Sequence, residues 1–395
     1  MNFQTNTCQT FSFIFILAVL LSFFVSSCKS GDNVNVEFED EITAGNADQC
    51  IRLNHIQVLG THNSYKLKPA QALIDQLDQY NEGWATGLEY EHRSLTEQLE
   101  ELGIRKFELD IFADTSGGRF AEPAGAELIN DQEFLGSEEM MEPGFKVVHI
   151  QDIDYQTTCR VLTGCLMEIR DWSAENPNHL PIMIMLEVKD GTPEARGSLS
   201  FTEALPIDES IIYDIDEEVW SVFSQEHVIT PDDVRGEFES LEQAILENGW
   251  PALAQSRGKV LFALDNTNRI RDLYLSESPI LENRALFVSS RPGQPSAAFI
   301  KMNNVFDEEE DIREFSSQGY LIRTRADIPT TEARSGDTTR RDLALESGAH
   351  YISTDYPEPS PFDSTYIVKL PGAESPGRCN PVSAPETCEN SYIKE

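Results

Sequence analysis

Short apolar runs recur along the chain, separated by stretches whose apolar residues fall three and four apart. The two periods together predict alternating strands and helices. Ile56-Gln57-Val58-Leu59 reads as the first buried strand. A helix over 69–80 follows, with Leu73, Ile74 and Leu77 on one face, and then another over 95–102 that Gly103 closes. Strands are predicted over 104–112 and 145–150, and a helical pattern runs through Leu162, Leu166 and Ile169 to Trp172. Residues 181–188 form an apolar run typical of a parallel strand covered on both faces. Helical and acidic segments fill 191–257, with Thr230-Pro231-Asp232-Asp233 as a helix start. Further strands are predicted over 260–264, 285–289, 320–324 and 351–354. Strand and helix thus alternate about eight times over roughly 320 residues, which predicts an α/β fold of the (β/α) barrel kind. An open doubly wound sheet is the alternative, but no Gly-rich phosphate turn opens a helix near the start.

Polar residues gather where these strands end. The first strand runs into Gly60-Thr61-His62-Asn63-Ser64-Tyr65, in which the glycine is expected to permit a turn. Later runs end in Glu108-Leu109-Asp110, in Val148-His149, and in Glu187-Val188-Lys189. In a barrel all of these meet at one face, the one that carries chemistry. Glu108 and Asp110 are two apart and share a strand face, as do Glu187 and Lys189. Carboxylates held together call for a cation or a proton between them. Asn63, Glu108, Asp110 and Glu187 offer oxygens for a hard cation such as calcium, whereas few nitrogen or sulfur ligands converge for zinc. Two histidines beside such a cation suit proton transfer in phosphoryl chemistry, one accepting a proton and the other donating one. Lys189 is placed to hold a phosphate or a charged neighbour. Singly, each of these motifs is ordinary; their joint placement at successive strand ends is what points to one site. His92 and His179 lack that placement and read as structural. The acidic run over 214–218 reads as a solvated helix face without the spacing of an EF-hand. The long excursion over 113–145, rich in Gly, Pro and Glu, lies on the functional side; it shows no clear apolar ridge, and Phe134-Leu135 and Met140-Met141 are either apolar membrane contacts or, equally, residues partly buried under the loop.

Composition narrows the function classes. Among 395 residues, 30 basic side chains face 68 acidic ones, a formal charge of -38, which excludes the basic surface that nucleic acid requires. Phe11 to Val25 is nearly all apolar and suits the core of a signal peptide. It ends in Val25-Ser26-Ser27-Cys28, which resembles the lipobox of bacterial lipoproteins and makes Cys28 the expected lipidation site, although the leader carries no Lys or Arg. The expected division is a leader over 1–27, a polar acidic tether over 28–50, a catalytic barrel over 51–370 and a Pro/Gly/Ser-rich tail over 371–395. The protein is expected to be exported, anchored at the bacterial cell envelope or surface, or secreted. Cys159 with Cys165 and Cys379 with Cys388 are near enough in sequence to close small loops in an oxidising compartment, leaving Cys50 odd; connectivity is open at this level.

The polar set also carries a resemblance. Gly60-Thr61-His62-Asn63-Ser64-Tyr65, Gly103-Ile104-Arg105 leading into Glu108-Leu109-Asp110, Val148-His149 and Glu187 together resemble phosphatidylinositol-specific phospholipase C, and more narrowly its calcium-dependent bacterial branch. The similarity continues through Thr230-Pro231-Asp232-Asp233-Val234-Arg235-Gly236, Gly258-Lys259-Val260 and Ser353-Thr354-Asp355-Tyr356-Pro357. It implies a distorted TIM barrel and cleavage of phosphatidylinositol, or a related inositol phosphodiester, to diacylglycerol and a cyclic inositol phosphate. It further implies His62 and His149 as the acid/base pair and Asn63, Glu108, Asp110 and Glu187 as calcium ligands. Lys189, and more remotely Arg323 and Asp355, would be substrate contacts. Two rival functions are a glycerophosphodiester phosphodiesterase and an inactive lipid-binding barrel. The first normally carries His-Arg-Gly where this chain has His62-Asn63-Ser64; the second is disfavoured by the presence of both histidines.

Overall fold

Along residues 106–112, charged and apolar positions alternate, so a strand there must send Lys106, Glu108 and Asp110 to one face and Phe107, Leu109 and Ile111 to the other. All seven residues are buried, which only a strand covered on both faces allows. A computed structural model, described for residues 42–195, 199–363 and 365–395, shows that strand at the centre of a barrel. The expected leader, the lipidation site Cys28 and most of the expected tether lie outside the described residues.

In chain order the strands are β1 (Ile56–Thr61), β2 (Lys106–Phe112), β3 (Lys146–Val147), β4 (Ile182–Lys189), β5 (Val260–Leu264), β6 (Leu286–Val288), β7 (Phe299–Lys301), β8 (Leu321–Arg325), β9 (Tyr351–Thr354) and β10 (Gly377–Cys379). The wall runs β6-β5-β4-β2-β1-β9-β8-β7 with every neighbouring pair parallel. Its two ends meet through one isolated parallel bridge, Ser289 to Phe299, so the barrel is nearly closed and distorted at that seam. The distorted TIM barrel is therefore the fold.

Helices pack outside, and their sequences explain them. The helix Leu162–Glu175 buries Leu162, Cys165, Leu166, Ile169 and Trp172, one stripe at helical spacing. Ser94 and Glu97 form a capping box before Leu95–Glu101, and Thr230 and Asp233 do the same before Pro231–Arg235.

Several expectations change in detail. The predicted strand over 145–150 is only the two residues of β3, and it pairs antiparallel with β2 as a flap on the wall. Immediately beyond it the chain turns back, Ile150 bridging to Asp154, and cannot extend into a barrel strand. The missing parallel strand is β7, whose three residues are too few to show a period. The acidic run over 214–218 is not simply a solvated face. Asp216 is buried and accepts hydrogen bonds from Tyr274 Oη and Ala285 N, while Glu218 accepts from Phe145 N. The excursion over 113–145 builds a second apolar cluster, in which Phe120, Phe134 and Met140 pack with Leu73, Leu77 and Tyr155. Phe134 and Met140 are therefore core residues; of the four candidate membrane contacts only Met141 is exposed, with Leu135 half-buried. The Pro/Gly-rich tail is bound into the fold as well: β10 pairs antiparallel with β1, Ile393 is buried, and Glu395 pairs with the Arg105 guanidinium. Disulfides join Cys159 to Cys165 and Cys379 to Cys388, with Cys50 in neither. Among the described residues, no helix is long and apolar enough to cross a membrane.

Candidate active site at the carboxyl ends of the barrel strands

The site begins with a close approach between β1 and β2. Gly60 faces Lys106 in register, and a Cβ at Gly60 would stand 2.4 Å from Lys106 Cδ. Gly60 is thus a strand residue that makes room for a lysine, rather than the pivot of a turn. The room lets Lys106 Nζ reach Glu108 Oε2 at 2.6 Å, Ser353 Oγ at 3.0 Å and the Thr61 carbonyl at 3.2 Å. The turn after β1 is held to β2 in both directions: Ser64 N donates to the Glu108 carbonyl and Glu108 N donates to Ser64 Oγ. Asn63 takes the left-handed backbone conformation that asparagine tolerates, with φ of 46°. Its Nδ2 donates to Tyr90 Oη at 2.8 Å, which leaves Oδ1 buried without a hydrogen bond.

His62 sits beside that asparagine, with its ring stacked on Tyr90. Its Nδ1 lies 2.9 Å from Asp355 Oδ1, and its Nε2 lies 3.7 Å from Glu108 Oε1. His92, buried next to it, has its Nε2 2.8 Å from the His62 carbonyl, a structural role adjoining the site. Burial, followed by the nearby Arg325 guanidinium, lowers the His62 pKa to about 4, with Asp355 and Glu108 opposing. His149, beyond β3, is also held by an acid: its Nδ1 lies 2.6 Å from Asp154 Oδ2. Asp154 Oδ1 lies 3.3 Å from Lys66 Nζ, and Lys66 sits over the Tyr90 ring that packs on His62. Ion-pair, cation–π and ring-stacking contacts therefore link the two histidines. His179 lies away from it, against Ser173 and the Leu180 carbonyl.

Three carboxylates converge beside His62. One oxygen each from Glu108, Asp110 and Glu187 lies within 4.8 Å of the others. Their states differ because their neighbours differ. Burial alone would raise the Glu108 pKa, but Arg323, Lys106 and His62 together hold it well below the carboxylate range. Asp110 goes the other way: burial, with Glu187 and Glu108 adding, raises its pKa well above the usual range against the pull of Lys189. Neither Asp110 oxygen accepts a hydrogen bond, although Lys189 Nζ stands 3.1 Å from Oδ2. The donor set fits a hard cation. Asn63 Oδ1 and both Asp110 oxygens are buried and unsatisfied, Glu187 is partly open, and Glu108 keeps Oε1 clear of its two cationic partners.

The structure brings His62, Asn63, Glu108, Asp110, Glu187 and Lys189 to the carboxyl-end face of the barrel. Arg323 and Asp355 are there too, engaged with other side chains: Arg323 donates to Glu108 Oε2, Ser353 Oγ and Asn303 Oδ1, and Asp355 faces His62. Lys106, Arg325, Tyr90 and Asp154 were not singled out from sequence. Lys106 and Arg325 had a signal, since each continues an alternating polar face with Glu108 or Arg323 in an otherwise apolar strand. Tyr90 and Asp154 lie on loops, and no periodicity marks them.

Residues 51–381 match the family described as phosphoinositide phospholipase C, Ca2+-dependent. Among solved structures, the chain is similar to a calcium-dependent phosphoinositol-specific phospholipase C from a Pseudomonas species in its myoinositol complex. Identity is 16%, the TM-score is 0.53, and the match covers 86% of this chain and 98% of that one. A second crystal form of the same Pseudomonas protein gives 16% identity, a TM-score of 0.52, and coverage of 84% and 96%. A Ca2+-dependent phosphatidylinositol-specific phospholipase C from Streptomyces antibioticus gives 18%, 0.48, and coverage of 80% and 98%. No match to a curated protein sequence is found.

Proposed function

This chain belongs to the Ca2+-dependent phosphoinositide phospholipases C, which are phosphoric diester hydrolases, and from that membership we propose that it cleaves phosphatidylinositol or a related inositol phosphodiester with His62 and His149 as its proton-transfer pair. One observation supports this above the others. Each histidine presents its Nδ1 to a buried carboxylate, and beside His62 the oxygens of Glu108, Asp110 and Glu187 gather at the carboxyl-end face of the barrel.

Asp355 receives the Nδ1–H of His62 and so leaves the Nε2 lone pair free. Being neutral above about pH 4, His62 is the acceptor for the proton of the inositol 2-hydroxyl. The 2-oxygen bonds to phosphorus as the bond to the diacylglycerol oxygen breaks, and His149 returns a proton to that leaving oxygen. The products are diacylglycerol and a 1,2-cyclic inositol phosphate, which water then opens with the two histidines exchanging roles. Asn63, Glu108, Asp110 and Glu187 would hold calcium, which would supply positive charge against the charge that grows on the phosphate oxygens. Lys106 and Arg323 keep Glu108 ionised and fixed, which makes Arg323 a positioning residue, as Asp355 is for His62.

The apolar leader and Cys28, together with two disulfides, support an exported lipoprotein whose described unit from residue 42 onward acts at a membrane surface. Release of water-soluble inositol phosphate from phosphatidylinositol vesicles tests the proposal. We expect release with added calcium and none with chelator. Hydrolysis of glycerophosphodiesters in place of phosphatidylinositol would overturn it in favour of the rival barrel enzyme.

A further inference from the structure

Lys189 closes β4 two residues after Glu187, on the same strand face, and reaches across to β2. Its Nζ lies 3.1 Å from Asp110 Oδ2 and 3.1 Å from Glu187 Oε2. Among the described residues it is the one basic group within ion-pair distance of either carboxylate, whereas Glu108 is served by Lys106 and Arg323. The side chain of Asp110 is 0% exposed, while those of Lys189 and Glu187 are 25% and 32% exposed. Lys189 thus reaches from a partly open position to the buried Asp110 carboxylate.

We propose that Lys189 is a built-in competitor for the cation site: its ammonium takes the place between Asp110 and Glu187 that a divalent cation needs, and cation entry expels it. This rests on the assignment of those carboxylates to calcium. Calcium–oxygen bonds of about 2.3–2.6 Å leave no room for an ammonium bridging the same two oxygens. Two cations so close would also repel with little water to screen them. Charge counts agree. A divalent cation brings two positive charges to Asp110 and Glu187, where the ammonium brings one. Expulsion frees a flexible cationic side chain at the mouth of the site, where it meets the phosphate of an incoming diester. Cation binding and phosphate binding then favour one another, because each removes a reason for Lys189 to stay on the carboxylates.

The test is calcium affinity of the purified protein, measured by titration calorimetry without substrate, for wild type, Lys189→Met and Asp110→Asn. Lys189→Met is expected to tighten calcium by about tenfold or more, and to lower the melting temperature of the chelated protein, since Asp110 and Glu187 lose their counter-charge. Unchanged or weaker calcium binding in Lys189→Met, with Asp110→Asn losing it, overturns the competitor role and leaves the cation site standing. Calcium binding that is unaffected by Asp110→Asn overturns the cation assignment and the competitor role together. Amine acylation of the wild-type protein, read by peptide mass spectrometry, gives a second measurement that needs no variant. Labelling of Lys189 should rise several-fold on adding calcium while the other lysines stay constant, and labelling that stays flat or falls contradicts the proposal.

Discussion

Asp355 and Asp154 come from distant parts of the chain, yet each turns a carboxylate toward the Nδ1 of a histidine. That contact sets the ring's orientation and tautomer, and for His62 the remaining neighbours set its charge. Arg325 approaches Nδ1 to 3.2 Å, and its charge adds to burial in disfavouring the imidazolium. The sign of the consequence follows. With His62 as the proposed base, which must be neutral, kcat/KM is expected to fall as pH drops through the His62 pKa, and removing a neighbouring positive charge raises that pKa. Arg325→Met should therefore move the acid limb of the pH profile upward, by about one unit. A limb that stays in place or moves downward would show that Arg325 does not act on His62. Lys106 and Glu108 show the same dependence at residue level. The lysine is buried, which pushes its pKa down to about 7, and Arg323, with Lys106 at 2.6 Å adding to it, keeps Glu108 ionised in the interior.

Strands carry these residues into place, and β1 and β2 must lie unusually close to do so. An alanine at Gly60 would put its Cβ 2.4 Å from Lys106 Cδ and 2.9 Å from the Lys106 carbonyl oxygen, and a carbonyl cannot rotate away as a side chain does. Gly60→Ala should cost about 1–3 kcal/mol through overpacking and lower the melting temperature by several degrees. Phosphatidylinositol cleavage should fall with it, because Lys106 positions Glu108. An unchanged melting temperature would contradict the close-approach account. Much at this scale was legible in the sequence. The apolar runs at β2, β4, β5 and β9 mark their strands closely, because a strand buried on both faces must be apolar apart from the residues it aims at the site. What was not legible has physical reasons. β7 is three residues long, below the length at which a period of two can show, and β3 owes its existence to pairing with β2 and not to its own pattern. Gly60 reads as a turn former from its neighbours, since sequence records a missing side chain but not what fills the space.

Among the described residues, the barrel gathers its polar groups at the carboxyl ends of its strands, while the tail packs near the amino ends, through β10 paired with the start of β1 and the Arg105–Glu395 pair. That arrangement explains why the candidate site could be read from strand endings, whereas its second layer could not. Glu108, Asp110, Glu187 and Lys189 lie in strands and His62 and Asn63 directly follow one, but Tyr90 and Asp154 reach the site only through the tertiary path of loops. A formal charge of -38 opposes approach to an anionic lipid surface, and bound calcium and the proposed anchor at Cys28 would act in the opposite direction. The central claim is that one cation-dependent site with two histidines cleaves the inositol phosphodiester. The most direct measurement is inositol phosphate release from phosphatidylinositol vesicles, with calcium and with chelator, by wild type, His62→Ala and His149→Ala. The account predicts calcium-dependent release that falls by about 10²–10⁴-fold in each variant. Release that persists in both variants, or that survives chelation in wild type, would contradict it.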